Sequence, residues 1–115
     1  MNQGHGSRNK GKRGELELAH KLQEYGYNAR RGQQYAGLYG DADVVGVPGL
    51  HIECKRVEQL NIEKALVQSE QDARSDEIPV VMHRKNREEW KVTLRLDDFM
   101  RIWTKIDVVD LLNLF

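Results

Sequence analysis

Glu53 and Lys55 stand two residues apart in the apolar run Leu50 to Arg56. In a strand that spacing sends both side chains out of the same face, where they can converge on one substrate atom, while Ile52 and Cys54 point into a core. A carboxylate and a lysine with a further acid from a neighbouring strand, here Asp43, form the set that Mg²⁺-assisted phosphodiester hydrolysis needs. Hard carboxylate oxygens hold an ion that keeps several waters. The ion polarises the phosphate and generates hydroxide, and the lysine stabilises developing charge or orients the attacking water. Taken alone, a Glu-x-Lys pair more often means solvated charge on an exposed strand, so the residues around it must decide.

A helix of roughly residues 12 to 25, closed by Gly26, precedes the stretch. Leu16, Leu18, Ala19, Leu22 and Tyr25 occupy one half of it, with Glu15 near the middle of that apolar half. A carboxylate aimed at a core is costly unless its charge is used. Either it reaches a cation or it caps the helix N-terminus, a task that Glu17, expected on the solvent side, could perform as well. Asn28 to Arg31 reads as a first strand carrying Arg30 and Arg31. The loop GQQYAGLYG, residues 32 to 40, is either a connector or a contact for nucleic acid, since aromatic and amide side chains beside arginines suit backbone and bases.

Val44 to Val47 and Leu50 to Arg56 flank Pro48-Gly49, which predicts a turn joining an antiparallel hairpin. Asn61 is an N-cap for a helix over about Ile62 to Ser75, with Gln68 and Asp72 one turn apart along the edge of its apolar stripe. Ile78 to His83 reads as a buried strand starting at Pro79, and Lys91 to Leu96 alternates cleanly behind Trp90. A short helix is expected from an Asp97 N-cap. The tail VVDLLNLF either completes the core or buries itself in a partner.

Strand parity constrains Asp43. Directly opposed residues of an antiparallel hairpin share a face and their numbers have a constant sum. A two-residue Pro48-Gly49 loop places Asp43 opposite Cys54 and away from Glu53. For Asp43 and Glu53 to share a face, the sum must be even, which requires an odd loop or a bulge. Asp41 has the same parity and gains nothing from this.

Eighteen basic and eighteen acidic residues cancel, but residues 1 to 40 carry seven Lys or Arg against three Glu. A basic first third offers phosphates a local patch or is simply a solvated arm. A lone cysteine, Cys54, excludes a disulfide framework and a cysteine zinc cluster and fits a reducing cytoplasm. No 18-residue apolar run or signal-like h-region is present, so neither a membrane span nor a secretory signal is expected. The length suits a single domain over 1–115, with residues 1–7 mobile and 97–115 a C-terminal helical extension.

Glu15, Gly40-Asp41-Ala42-Asp43-Val44-Val45, Ile52-Glu53-Cys54-Lys55 and Gln68 occur in the order, and on the element types, of the PD-(D/E)XK nuclease superfamily. The chain resembles its Holliday-junction resolvase branch and related small phage nucleases over about residues 8 to 84, including the opening K-G-K-R-G-E-L-E. The resemblance implies an α/β fold with a restriction-endonuclease-like core, a mixed sheet flanked by helices in the order α-β-β-β-α-β-β-α. It implies Asp43 and Glu53 as metal ligands with the Cys54 backbone carbonyl, Glu15 reaching the metal through water, Lys55 as the motif lysine and Gln68 as a positioning residue. Ala42 stands where the family has proline. The implied cofactor is Mg²⁺, or Mn²⁺ in its place. The implied partners are branched DNA, a Holliday junction above all, and a second copy of the chain, because a symmetric junction needs two matched cuts.

Arg8, Lys10, Lys12, Arg30, Arg31, Tyr35 and Arg84 are the candidate nucleic-acid contacts. His51 and His83 lack metal-ligand spacing to another histidine, and as substrate contacts they and Tyr39 stand alike. The rival reading is a catalytically silent nucleic-acid-binding module, against which the inward carboxylate set argues. A structural protein with a charged surface would require Glu15 and Glu53 to be unrelated in space.

Overall fold

The structure, a computed structural model, describes residues 3–33 and 42–115, with residues 3–9 described by their backbone alone. The side chain of Arg8, together with Tyr35, Tyr39 and Asp41, lies outside the described residues. Nine elements follow in order: α1 (Gln3–Gln23), β1 (Arg30–Arg31), β2 (Val44–Val45), β3 (Leu50–Arg56), α2 (Ile62–Asp72), β4 (Ile78–Arg84), β5 (Lys91–Thr93), α3 (Leu96–Trp103) and α4 (Val108–Leu112). The strands form one sheet in sequence order. β3 and β4 are parallel, with α2 as their crossover, and the other neighbours are antiparallel.

Alternation along β3 and β4 decides which helix covers which face. Ile52, Cys54, Val80 and Met82 meet Leu18 and Ala19 of α1, together with Ala29 and Val44. Val81 on the opposite face meets Ala65 and Leu66 of α2. Asn61 caps α2 as expected, its Oδ1 accepting the Lys64 N–H at 3.0 Å. Ser69, fully buried in the apolar stripe of α2, is satisfied by the carbonyls of His51 and Val80 at 2.9 and 3.3 Å, which ties the helix to both parallel strands.

Three expectations change. Helix α1 begins at Gln3, not near Lys12, so Glu15 sits more than three turns inside it and cannot serve its N-terminal dipole. The buried stripe of α1 is Gly14, Leu18 and Ala19, while Leu16 and Tyr25 are exposed, because the sheet contacts a narrower arc of the helix than the apolar half spans. Helix α3 starts one residue before Asp97, with Arg95 at its N-cap and no side-chain cap bond; the Arg95 guanidinium instead reaches back to Glu63 and Glu70 of α2 at 2.7 and 2.9 Å. The tail does not complete the core, since Val108, Val109, Leu112, Leu114 and Phe115 are all exposed.

The hairpin is irregular, as parity requires. Val47 to Leu50 is a turn closed by the Leu50 N–H on the Val47 carbonyl at 3.3 Å, with proline second and Gly49 third at φ +88°, the demands of a type II turn. Yet Val44 pairs with Ile52, an even sum that the turn alone does not produce. The extra residue is absorbed between them, where Gly46 has φ +103°. Asp43 also donates its N–H to the Ile52 carbonyl at 3.0 Å, so two residues of one strand face one of the other in a β-bulge.

A Cβ at position 46 would press into the Asn28 carbonyl and sit 2.9 Å from the Ala29 Cα, backbone that cannot step aside. Gly46→Ala is expected to cost roughly 2–4 kcal/mol in urea unfolding, from left-handed strain and overlap together. Gly49→Ala, with open space around it, is expected to cost only about 1 kcal/mol.

Candidate active site

Strand β2 covers β3 only near Ile52, and from Glu53 onward no other described strand flanks β3 on that side. The opening is a cleft of about 470 Å³ lined by Lys10, Glu15, Asp43, Glu53, Cys54, Lys55, Arg56 and Gln68 among others. It therefore gathers all five expected catalytic residues, Glu15 from α1, Asp43 just before β2, Glu53 and Lys55 from β3 and Gln68 from α2.

The bulge aims Asp43 along β3, and its Oδ2 accepts the Cys54 N–H at 2.9 Å. A strand residue's N–H and C=O point to the same side. The Cys54 carbonyl is therefore also directed past the end of β2, toward Asp43. The Cys54 thiol faces the core, where burial and then the carboxylates, Asp43 foremost, hold it well above its usual range and keep it inert.

Glu53 is 4% exposed, and its Oε2 lies 3.5 Å from the Lys55 Nζ. Burial, then Asp43, raise its carboxyl to about 7, and Lys55 opposes the rise only in part. Glu15 is raised in the same way, first by burial and then by Asp43, and is held down by Arg31, whose Nε donates to its Oε1 at 2.8 Å. The cation that Glu15 reaches in this structure is thus Arg31. Expected as a phosphate contact, Arg31 is committed first to that carboxylate. Arg30 is exposed and bonded to the Asn28 carbonyl at 3.1 Å. Lys10 overhangs the cleft, Lys12 is exposed outside its lining, and Gln68 reaches the cleft from the exposed side of α2.

Both central histidines are occupied elsewhere. His51 is buried, its Nδ1 3.3 Å from the Glu77 Oε1, and it lines a separate cleft with Asp72 and Arg74. His83 is bonded through Nε2 to the Thr93 Oγ1 at 2.9 Å, and burial lowers its pKa. One charged residue of the cleft lay outside the expected set. Arg56 lines the cleft and pairs with Glu17, which is half-buried, not solvated. The adjacency of Arg56 to Lys55 was the one available signal.

Among the described residues, no three His, Cys, Asp or Glu side chains gather to hold an ion by themselves. Asp43 and Glu53, joined by one main-chain oxygen, instead suit a hard divalent ion that keeps most of its waters. The donor chemistry fits such an ion, because Asp43 is the foremost charge that raises the buried Glu53 carboxyl, and a divalent cation would offset that repulsion.

A sheet flanked by helices, open at one end over converging acids and a lysine, defines the restriction-endonuclease-like class. The solved structure of Archaeoglobus fulgidus Hjc, a Holliday junction resolvase from an archaeal hyperthermophile, shares this fold with a TM-score of 0.52 and 26% identity, covering 74% of this chain and 72% of that one. Residues 6–110 match the family described as "Phage putative PDDEXK endonuclease", and the chain belongs to that family of nucleases. No curated protein matches the chain.

Glu53 ionises near 7 in the folded chain, against 4.5 for an ordinary glutamate. Between those values the metal-free folded state holds an extra proton, so its stability falls as pH rises from about 4.5 to about 7 and is level above. The decline is expected to reach roughly 1–3 kcal/mol in urea titrations and to shrink in Glu53→Gln, leaving the smaller part due to Glu15. Added Mg²⁺ should raise the melting temperature more at pH 8 than at pH 5, where the proton competes for the carboxylate. A flat metal-free profile in the wild type would show that the Glu53 carboxyl is not raised in the folded chain.

Proposed function

We propose that the protein is a divalent-metal-dependent DNA endonuclease that hydrolyses phosphodiester bonds in branched DNA, with a four-way junction the favoured substrate. The observation that carries this reading is the meeting of Asp43, Glu53, Lys55 and Glu15 in one cleft, with Asp43 the foremost charge acting on Glu53. Nuclease activity is supported by family membership, and preference for branched DNA rests on the likeness to Hjc, a Holliday junction resolvase.

In this reading Asp43, Glu53 and the Cys54 carbonyl hold Mg²⁺, or Mn²⁺ in its place, and Glu15 reaches it through water. When bound, the ion supplies polarisation of the phosphate and a water of lowered pKa. Lys55, fixed beside Glu53, stabilises the charge that develops on the phosphate oxygens or orients the attacking water. Gln68 positions that water or the phosphate from the α2 side. Lys10, Lys12, Arg30 and Arg84 contribute phosphate contacts, joined by Arg8 and Tyr35. The chain acts as one nuclease domain with a helical extension, in the cytoplasm of a bacterial, archaeal or phage-infected cell. No described helix is long and apolar enough to cross a membrane.

A homodimer suits two matched cuts, and α3 supplies the surface. Phe99 and Trp103 stack with ring centroids 5.8 Å apart and stay substantially exposed, as do Leu96, Met100 and Ile102. Sedimentation is expected to give the mass of two chains for the wild type and of one for a Phe99→Ala/Trp103→Ala variant.

Labelled four-way junction, flap and duplex DNA incubated with Mg²⁺ or EDTA test the activity. Cleavage is expected only with metal, fastest on the junction, and to fall by at least about a hundredfold in Asp43→Ala and Glu53→Ala while junction binding persists. Full activity in Glu53→Ala would end the mechanism, and uncut but tightly bound DNA in the wild type would favour a silent binding module.

A further inference from the structure

Arg56 and Arg84 are register partners at the C-terminal ends of the parallel strands β3 and β4, so two guanidiniums from distant parts of the chain leave the sheet side by side. Glu17 of α1 stands between them. It accepts from the Arg84 Nη1 through Oε1, and its Oε2 lies 3.3 Å from the Arg56 Nε. Arg84 is further fixed by its Nε on the Glu88 carbonyl at 2.6 Å.

Arg56 spends its Nε on Glu17, and its terminal nitrogens make no hydrogen bond among the described residues. The nearest acid, Glu58, is 4.0 Å from Nη1 and is engaged with the Asn86 N–H at 2.6 Å. Arg56 also lines the cleft that holds Glu53 and Lys55. One carboxylate, Glu17, is shared by two arginines, with Glu58 a second acid 4.0 Å from Arg56. Glu17 orders a guanidinium fork in advance, and that fork's geometry matches a phosphate in bidentate fashion.

We propose that Arg56 and Arg84, cross-braced by Glu17, form a subsite for a backbone phosphate next to the scissile one. Arg56 makes the contact at the cleft, Arg84 adds the second charge, and Glu17 is a positioning residue that fixes both. This inference rests on the nuclease reading and names where the substrate strand is gripped.

A merely structural brace between α1 and the sheet would use the same ion pairs, and two readouts separate them. Binding of the full chain to junction and duplex DNA is measured across salt concentrations, with Ca²⁺ replacing Mg²⁺ to hold the DNA uncut, beside thermal melts of each variant. Arg56→Ala is expected to weaken binding about five- to tenfold and to lower the slope of log affinity against log salt by about one. Arg56→Lys should restore the slope but less than half of the lost affinity, since an ammonium keeps the charge without the fork. Glu17→Gln removes a negative charge and yet should weaken binding about threefold, the opposite of what loss of simple repulsion predicts.

An unchanged slope in folded Arg56→Ala, or in Arg56→Gln should the alanine variant unfold, would reduce the cluster to a brace. Tighter binding by Glu17→Gln would make Glu17 a repelling neighbour and overturn its positioning role. A wild type that binds and cuts DNA beside an indifferent Arg56→Ala defeats only this inference, whereas a wild type that binds no DNA defeats the nuclease reading with it.

Discussion

Glu53 and Glu15 are brought beside Asp43 where burial and its charge both oppose their ionisation, and the local architecture reads as a set of offsets to that cost. Lys55 approaches Glu53, Arg31 approaches Glu15, and the Cys54 N–H is turned to Asp43. These offsets are partial, since the carboxyls of Glu53 and Glu15 remain raised. An active site that were fully compensated by its own side chains would have little affinity left for a cation. In the proposed function, that strain in proton affinity is the reserve from which a metal would be bound.

Helix α1 links that reserve to the substrate side. Its residues serve different neighbours turn by turn: Lys10 over the cleft, Glu15 on Arg31, Glu17 between two arginines, Leu18 in the core. Close approach makes this possible, because Gly14 lies where a Cβ would come within 2.6 Å of the Arg56 Cβ. One small residue lets a helix carry carboxylates to a strand end that is itself charged. The contrast with α3 is sharp: its apolar side chains pack against little of the described chain, so it contributes surface and no support to the site.

Sequence periodicity exposed what depends on a few neighbouring residues. The alternation of β3, the Asn61 cap, the Pro48-Gly49 turn and the order of the acids were legible because each is decided within a turn or a strand. Parity even showed that the hairpin had to be irregular, though not that Gly46 and Asp43 would share the irregularity. What stayed hidden was tertiary. Nothing local marks Arg31 as the partner of Glu15, sixteen residues away, or brings Arg84 to Glu17, sixty-seven away. The exposure of Leu16 and the early start of α1 follow from how much of the helix the sheet covers, which a helical wheel cannot say. The last helices misled for the same reason, since an apolar pattern declares a wish for burial without naming what answers it.

The slip at Gly46 also bears on how this chain can change length over time. Val44 and Ile52 are both fully buried on the α1 side, so gain or loss of one residue in the loop between them would rotate β2 by half a turn and expose Val44. Insertions and deletions there are tolerable only in pairs, or singly with a compensating bulge. The extra residue absorbed at Gly46 is such a stored insertion. Relatives with longer or shorter hairpins should therefore keep a glycine or a bulge at this place, however far their loops diverge.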